Sequence, residues 1–191
     1  LVGPAVGAGK AQRWLHKVVD SDQPRGWDHQ LRNEPFVNLG YGQQWWRTQR
    51  LTGLEFEYGP GLGAAVGNLY TYGSAGLGLR FGRSLDRTFG IPSVTPGQSG
   101  NLQFTPGQAF AWYGFVHLEG RYMAHNLLLD GNTFKSSHSV DRREWVGEAK
   151  VGVVLAWSRW QLAFASVWRS DEFVGQRGHD QFGSLTLSTD F

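Results

Sequence analysis

The chain has 191 residues, which is enough for one domain of ordinary size, and 40% of them are hydrophobic. No stretch approaches the roughly 20 consecutive apolar residues of a spanning helix, so the sequence excludes a helical membrane protein. The formal net charge of +2 indicates no nucleic-acid partner, and the absence of cysteine excludes a disulfide framework, a thiolate metal site and a cysteine nucleophile.

Residues 9–19 have the periodicity of a short amphipathic helix. Gln12 and His16 stand one turn apart on one face, beside an apolar face and a basic face. The apolar face is Ala11, Trp14, Leu15 and Val18, and the basic face is Lys10, Arg13 and Lys17. Such a helix is typical of one that lies at the level of lipid headgroups. Because histidine exchanges protons near neutral pH, His16 is the candidate general base, the alternative being a surface histidine without chemistry.

A polar turn rich in carboxylates follows this helix. Asp20, Asp22 and Asp28 offer the oxygen ligands that a hard cation prefers, although carboxylates in polar turns are also commonly just solvated. The spacing does not match an EF-hand loop. Both interpretations of the turn stay open at this point.

The rest of the chain alternates between apolar and polar residues in stretches longer than a usual soluble strand. In residues 111–125 one face carries Trp112, Val116, Leu118 and Tyr122, and the other carries His117, Glu119, Arg121 and His125. A barrel with lipid outside and a polar lumen explains this recurring pattern better than a soluble sheet does. The count is about seven strands, each near or above the ~9–11 residues that span a bilayer. They are residues 36–48, 54–66, 69–81, 111–125, 145–157, 160–168 and 182–191.

Turn chemistry organises these strands into hairpins. Tight turns at Gly67-Asn68 and Ser158-Arg159 predict two of them. After the first turn, Leu69, Leu77, Leu79 and Phe81 are predicted to face outward, and Tyr70, Tyr72 and Arg80 inward. Residues 84–108 form the longest connection, rich in Pro, Gly and Ser and without an evident purpose.

The last strand predicts the orientation of the barrel. Leu185, Leu187, Thr189 and Phe191 share one face, as in the C-terminal strand that the barrel-assembly machinery recognises in outer-membrane proteins; the alternative is an ordinary edge strand. A periplasmic C-terminus places the helix of residues 9–19 and the loops of residues 126–142 and 171–181 outside the cell.

Several motifs resemble the lipid A 3′-O-deacylase (LpxR) family over the whole chain. They are Gly3-Pro4, Gln12 with His16, Ser21-Asp22, Pro24, Gly26 through Leu31, Gly67-Asn68, Tyr70-Thr71-Tyr72, Leu129 through Phe134, Val140-Asp141, Glu172-Phe173, Gly175-Gln176 and Phe182-Gly183-Ser184. The resemblance implies a bacterial outer-membrane barrel that hydrolyses the 3′ acyl ester of lipid A in lipopolysaccharide, with calcium as cofactor.

The resemblance also implies roles for single residues. The family's helix histidine corresponds to His16, which would deprotonate the water that attacks the ester. Gln12, Asp22, Asp28 and Gln30 belong to the shared motifs and are expected to contact substrate or to support the site. The family's other active-site residues, an Asn-Asp pair, a hydroxyl residue and a lysine, lie on earlier strands without a counterpart here.

The number of strands agrees with the lack of a counterpart for the family's earlier strands. We expect residues 1–191 to be one β-barrel domain. The resemblance implies a barrel of roughly twelve strands, of which this chain would be the C-terminal part, with roughly five strands before Gly3. One rival hypothesis is a catalytically silent outer-membrane barrel, such as a structural protein, an adhesin or a small channel. A soluble β-sandwich or lipocalin-like binder is a third, which the apolar outward faces disfavour.

Overall fold

The computed structural model of the protein describes residues 1–18, 20–22, 29–88, 90–92 and 104–190. Its regular elements are two helices and eight strands of one antiparallel sheet. The helices are α1 (Ala8–Val18) and α2 (Leu127–Asp130). The strands are β1 (Asn38–Gln44), β2 (Arg47–Leu51), β3 (Leu54–Gly67), β4 (Tyr70–Arg83), β5 (Gly107–Asn126), β6 (Trp145–Ser158), β7 (Trp160–Arg169) and β8 (Asp180–Thr189). Within the described residues, no helix is long and apolar enough to cross a membrane.

The strands pair in chain order, as expected for an up-and-down barrel wall. The order is β1-β3-β4-β5-β6-β7-β8, and β2 pairs with β3 beside β1. Both predicted hairpins are confirmed: Gly67 and Tyr70 flank the β3–β4 turn, and Ser158 and Trp160 flank the β6–β7 turn. The α1 end of the sheet carries the β3–β4 turn, and the C-terminal end carries the β6–β7 turn, where Asp190 donates to the carbonyl of Arg159.

The stretch predicted as one strand over residues 36–48 is two strands, so the sheet has eight segments rather than about seven. β1 pairs with Gly61–Gly67 and β2 with Leu54–Tyr58, and Trp45-Trp46 separates them opposite Gly59 and Pro60. Proline has no N–H to donate, and the N–H of Trp45 instead donates to the Pro60 carbonyl at 3.0 Å. A Cβ at Gly59 would overlap the Trp45 carbonyl, so this close approach requires glycine.

The two faces of the sheet are inverted relative to a soluble protein. Charged and amide side chains are buried on one face, whereas the other exposes a large apolar surface. The buried polar residues on strands include Glu57, Arg80, Arg121, Glu148, Lys150 and Gln161. The exposed residues include Leu77, Phe81, Val116, Leu118, Tyr122, Trp145, Trp157, Phe164, Trp168, Leu185 and Leu187. Apart from Leu69 and His125, the predicted outward and inward sets lie on opposite faces of the sheet, and this arrangement suits an apolar solvent outside it.

Two residues lie on faces other than those predicted. Leu69 is 3% exposed, because it packs at the tip of the β3–β4 turn with Tyr70 and Leu127 instead of facing outward. His125 leaves the face of Arg121, because the ladder shifts between Thr71 and Tyr72 and so reverses the alternation at the end of β5.

The β4–β5 connection covers the buried face near the C-terminal end. After a 3-10 turn at Leu85–Arg87, the chain is held by Arg80, which donates to the carbonyls of Thr88 at 2.9 Å and Gly90 at 3.3 Å. Leu85 and Ile91 pack against the Tyr113 and Phe115 rings on the same face. The described part of this connection therefore closes over the polar interior.

Candidate functional site

α1 is joined to the sheet at the end opposite the C-terminus. Val2 pairs with Glu34 in both directions, at 2.9 and 3.2 Å, and Asn68 in the β3–β4 turn donates to the Glu34 carboxylate. A 3-10 turn at Pro4–Val6 and Gly7 in the left-handed region then lead into the helix. The predicted short helix near residues 9–19 is confirmed as Ala8–Val18, Val19 lying outside the described residues.

The end of α1 decides the environment of His16. The N–H of Ser21 donates to the His16 carbonyl at 2.9 Å, and Asp20 is left-handed with φ 52°, as in a Schellman cap. This reversal brings the Asp22 carbonyl oxygen to 2.5 Å from His16 Nδ1. A carbonyl can only accept, so Nδ1 is the donor, and in a neutral imidazole Nε2 then carries the lone pair. His16 is half-buried, and this contact fixes the orientation of its ring.

The other predicted site residues do not all lie beside the His16 imidazole. Gln12 is exposed one turn before His16 on the same helix face. Asp22 approaches His16 with its main-chain carbonyl, whereas its predicted role involved the side chain. Gln30 lines a separate crevice of about 290 Å³ with His29, His138 and Phe173. Asp28 lies outside the described residues.

A buried carboxylate that the sequence did not single out holds the segment after α1. Glu34 is 1% exposed and accepts from the Asn132 side chain at 3.0 Å and from the main-chain N–H groups of Thr133 at 3.2 Å and Phe134 at 3.4 Å. Burial by itself would raise the pKa of Glu34, but these hydrogen bonds outweigh it and lower the pKa to about 2. Glu34 is therefore an ionised anchor.

The amide of Asn132 completes this anchor. Its oxygen accepts from the N–H of Arg32 at 2.8 Å, and its nitrogen donates to the carbonyl of the same residue at 2.9 Å. We call Arg32, Glu34, Asn68 and Asn132 the Glu34 cluster. It ties the segment after α1 to the β3–β4 turn and to the β5–β6 connection. The only sequence signal for it was that Asn68 and Asn132 fall within shared motifs.

A second ionic cluster fastens α2 at the same end. Asp130 accepts from Arg142 Nε at 3.0 Å and from the N–H of Asn126 at 2.8 Å, and it lies 2.9 Å from His125 Nδ1. His125 also contacts the Asn68 carbonyl through Nε2 at 3.2 Å. The histidine that left the inner face thus cross-links the connections of the α1 end.

The described residues do not form a calcium site by themselves. Among residues 1–18, 20–22, 29–88, 90–92 and 104–190, no three His, Cys, Asp or Glu side chains are grouped so that they could hold a metal ion. Asp20 and Asp22 supply oxygen atoms of the right kind beside α1, but calcium takes six to eight oxygen ligands. We therefore derive no chemical step through calcium.

The two faces of the sheet indicate the class of protein to which the chain belongs. An antiparallel sheet with an apolar outer face and a charged inner face is typical of the wall of an outer-membrane β-barrel protein. The family model "Outer membrane protein LpxR" matches residues 1–191, so the chain belongs to the LpxR family of outer-membrane proteins. The soluble β-sandwich hypothesis is accordingly wrong.

A solved structure of LpxR from Salmonella typhimurium has the same fold. The match has a TM-score of 0.77 and 20% sequence identity, and it covers 98% of this chain. The chain spans 64% of the length of that solved protein. None of the curated proteins matches the chain.

Proposed function

We propose that this protein is a lipid A deacylase of the outer leaflet, hydrolysing the 3′ acyloxyacyl ester of lipopolysaccharide with His16 as the general base. The observation that carries the proposal is the hydrogen bond from His16 Nδ1 to the Asp22 carbonyl, which leaves Nε2 as the proton acceptor. Family membership and the location of α1 at the end opposite the C-terminus support it, because a periplasmic C-terminus would turn this end towards the outer leaflet.

The chemistry follows from that tautomer. Nε2 takes a proton from a water molecule as its oxygen bonds to the ester carbonyl carbon. Collapse of the tetrahedral intermediate breaks the bond between that carbon and the 3′ oxygen, and the imidazolium gives its proton to this leaving oxygen, which becomes the sugar hydroxyl. The products are a free fatty acid and 3′-deacylated lipid A. The Asp22 carbonyl contributes by holding the ring and by stabilising the imidazolium that forms.

Replacement of the imidazole tests the mechanism. In the complete protein, His16→Ala should lower the rate of 3′ acyl release by ~10²–10⁴-fold, the usual contribution of a general base. The rate is measured by mass spectrometry of lipid A. His138→Ala, which removes another imidazole at the same end, should retain activity and serves as the matched control. Both variants should keep the heat-modifiable mobility of a folded barrel.

The results separate the deacylase from the silent-barrel hypothesis. Undiminished release by a folded His16→Ala protein would contradict the assigned base. Inactivity of the unmutated complete protein on lipid A would instead favour a structural, adhesive or channel function.

Calcium dependence is a further part of the proposal, and the family resemblance supports it. We expect a calcium chelator to abolish acyl release and added calcium to restore it, whereas magnesium should restore it poorly because it requires a tighter octahedral site. Full activity of the metal-depleted protein in chelator would remove calcium from the mechanism.

A further inference from the structure

The three faces of α1 are arranged in a definite order around the helix axis. At about 100° per residue, the cations Lys10, Arg13 and Lys17 occupy one arc. This arc lies between the Gln12–His16 arc on one side and the apolar arc on the other. The apolar arc is Ala11, Trp14, Leu15 and Val18.

These side chains point away from the packed part of the protein. Trp14 is 66%, Leu15 51% and Val18 62% exposed, and the three cations are exposed as well. α1 itself contains no acidic residue, and none of its three cations forms an ion pair with a carboxylate among the described residues. Trp14 stands at the border between the apolar and basic arcs, where an amphipathic ring meets the boundary between acyl chains and headgroups.

From this order we infer that the basic face of α1 binds the phosphate groups of the lipid A molecule whose ester lies at His16. The inference rests on the proposed function and deepens it by naming the substrate groups that are recognised. The apolar arc dips into the acyl region, and the cations then lie at the level of the anionic headgroups. Because the cationic arc borders the His16 arc, a phosphorylated sugar held by it keeps its acyl ester near Nε2.

Charge complementarity favours phosphorylated lipid A as the ligand of the basic face of α1. Lys and Arg near an anionic lipid surface each strengthen binding, and a phosphate oxygen accepts well from both side chains. A zwitterionic lipid offers no net charge to the basic face, and a dephosphorylated lipid A keeps the acyl chains but loses the anions. We therefore expect the protein to bind phosphorylated lipid A more tightly than dephosphorylated lipid A.

The experiment compares binding of bisphosphorylated and dephosphorylated lipid A to the complete protein in detergent micelles. The test variant is Lys10→Gln/Arg13→Gln/Lys17→Gln, in which glutamine keeps the helix propensity. The matched control is Arg47→Gln/Arg83→Gln/Arg159→Gln, which removes three exposed cations from the half of the sheet nearer the C-terminal end. The unmutated protein and the control should prefer the bisphosphorylated lipid, and the test variant should lose about tenfold in affinity for it together with the salt dependence of binding.

Steady-state kinetics distinguish binding of the lipid from hydrolysis of its ester. The test variant should raise KM for the bisphosphorylated lipid and leave kcat unchanged, because the base is intact. Unaltered affinity and KM in the test variant would overturn the inference, as would equally tight binding of phosphatidylglycerol vesicles of the same surface charge. Phosphate-dependent binding without hydrolysis by the unmutated protein would contradict the deacylase proposal and leave the phosphate site standing.

Discussion

At the residue scale, the α1 end depends on one carboxylate that contacts segments almost a hundred positions away. Glu34 is the buried acceptor for Asn132, Thr133 and Phe134, so losing its charge should loosen the segment that carries α1. Because its pKa is lowered from 4.5 to about 2, Glu34 stabilises the folded state above pH 4.5, and that contribution is lost as the pH falls from 4.5 towards 2.

We predict that Glu34→Gln speeds amide hydrogen exchange at Thr133 or Phe134, because these N–H groups bind different oxygens of the Glu34 carboxylate and glutamine keeps only one acceptor oxygen. Unfolding by denaturant should also lose part of its pH dependence between pH 4.5 and 2 in this variant. Asp141→Asn, an exposed carboxylate on the same connection, should leave both measurements unchanged. Equal exchange in the two variants would show that Glu34 does not anchor the segment.

At the element scale, Glu148 lies among three cations on the inner face of β5–β7. Glu148 on β6 accepts from Arg169 of β7 at 2.6 Å, and it forms ion pairs with Lys150 at 2.9 Å and with Arg121 of β5 at 3.9 Å. The Glu148 side chain is 2% exposed, and its removal leaves the buried Lys150 without a carboxylate partner, whereas Arg121 keeps Glu119 and Arg169 keeps Glu172. Pairing across strands therefore depends on this charge as well as on the backbone ladder.

We predict that Glu148→Gln lowers the free energy of unfolding by about 3–5 kcal/mol, the usual cost of removing one partner from a buried ionic cluster. The measurement is urea unfolding followed by heat-modifiable mobility in detergent or lipid. Glu144→Gln, an exposed position just before β6, should shift the transition by no more than about 0.5 kcal/mol. A Glu148→Gln transition as small as that of the control would mean that the cluster adds nothing to stability.

At the scale of the whole molecule, the apolar face should contact lipid and the polar face should line the interior. The chain has no cysteine, so a single introduced cysteine carries a nitroxide label at one known position. A label on Leu118→Cys should collide with oxygen dissolved in the bilayer, because Leu118 is 53% exposed on the outer face. A label on Ser74→Cys, which lines the inner cavity, should respond less to oxygen and more to a water-soluble nickel reagent. The reverse pattern would contradict the orientation of the sheet.

Much of this architecture can be predicted from local sequence patterns. Strict alternation in a chain as long as β5 places Leu118 outward and Glu119 inward, because successive side chains on a strand point to opposite faces. The 3.6-residue period likewise separates His16 from Trp14 on α1. The strand bounds and faces are predicted wrongly where the pairing of strands is interrupted. The break between β1 and β2 depends on Pro60 and Gly59 of a different strand. The register shift at Thr71 places His125 on a face other than the predicted one.

By itself, the sequence determined the antiparallel outer-membrane fold, the two hairpins and the candidate base His16. Only the tertiary structure decided which His16 nitrogen meets the Asp22 carbonyl, since that carbonyl approaches through a reversal at Asp20. Only the tertiary structure decided, too, that Glu34 meets Asn132, 98 positions along the chain. Periodicity reports which way a side chain faces within its own element. It carries no information on which distant element supplies the hydrogen-bond partner, because that depends on how the connections pack at the α1 end.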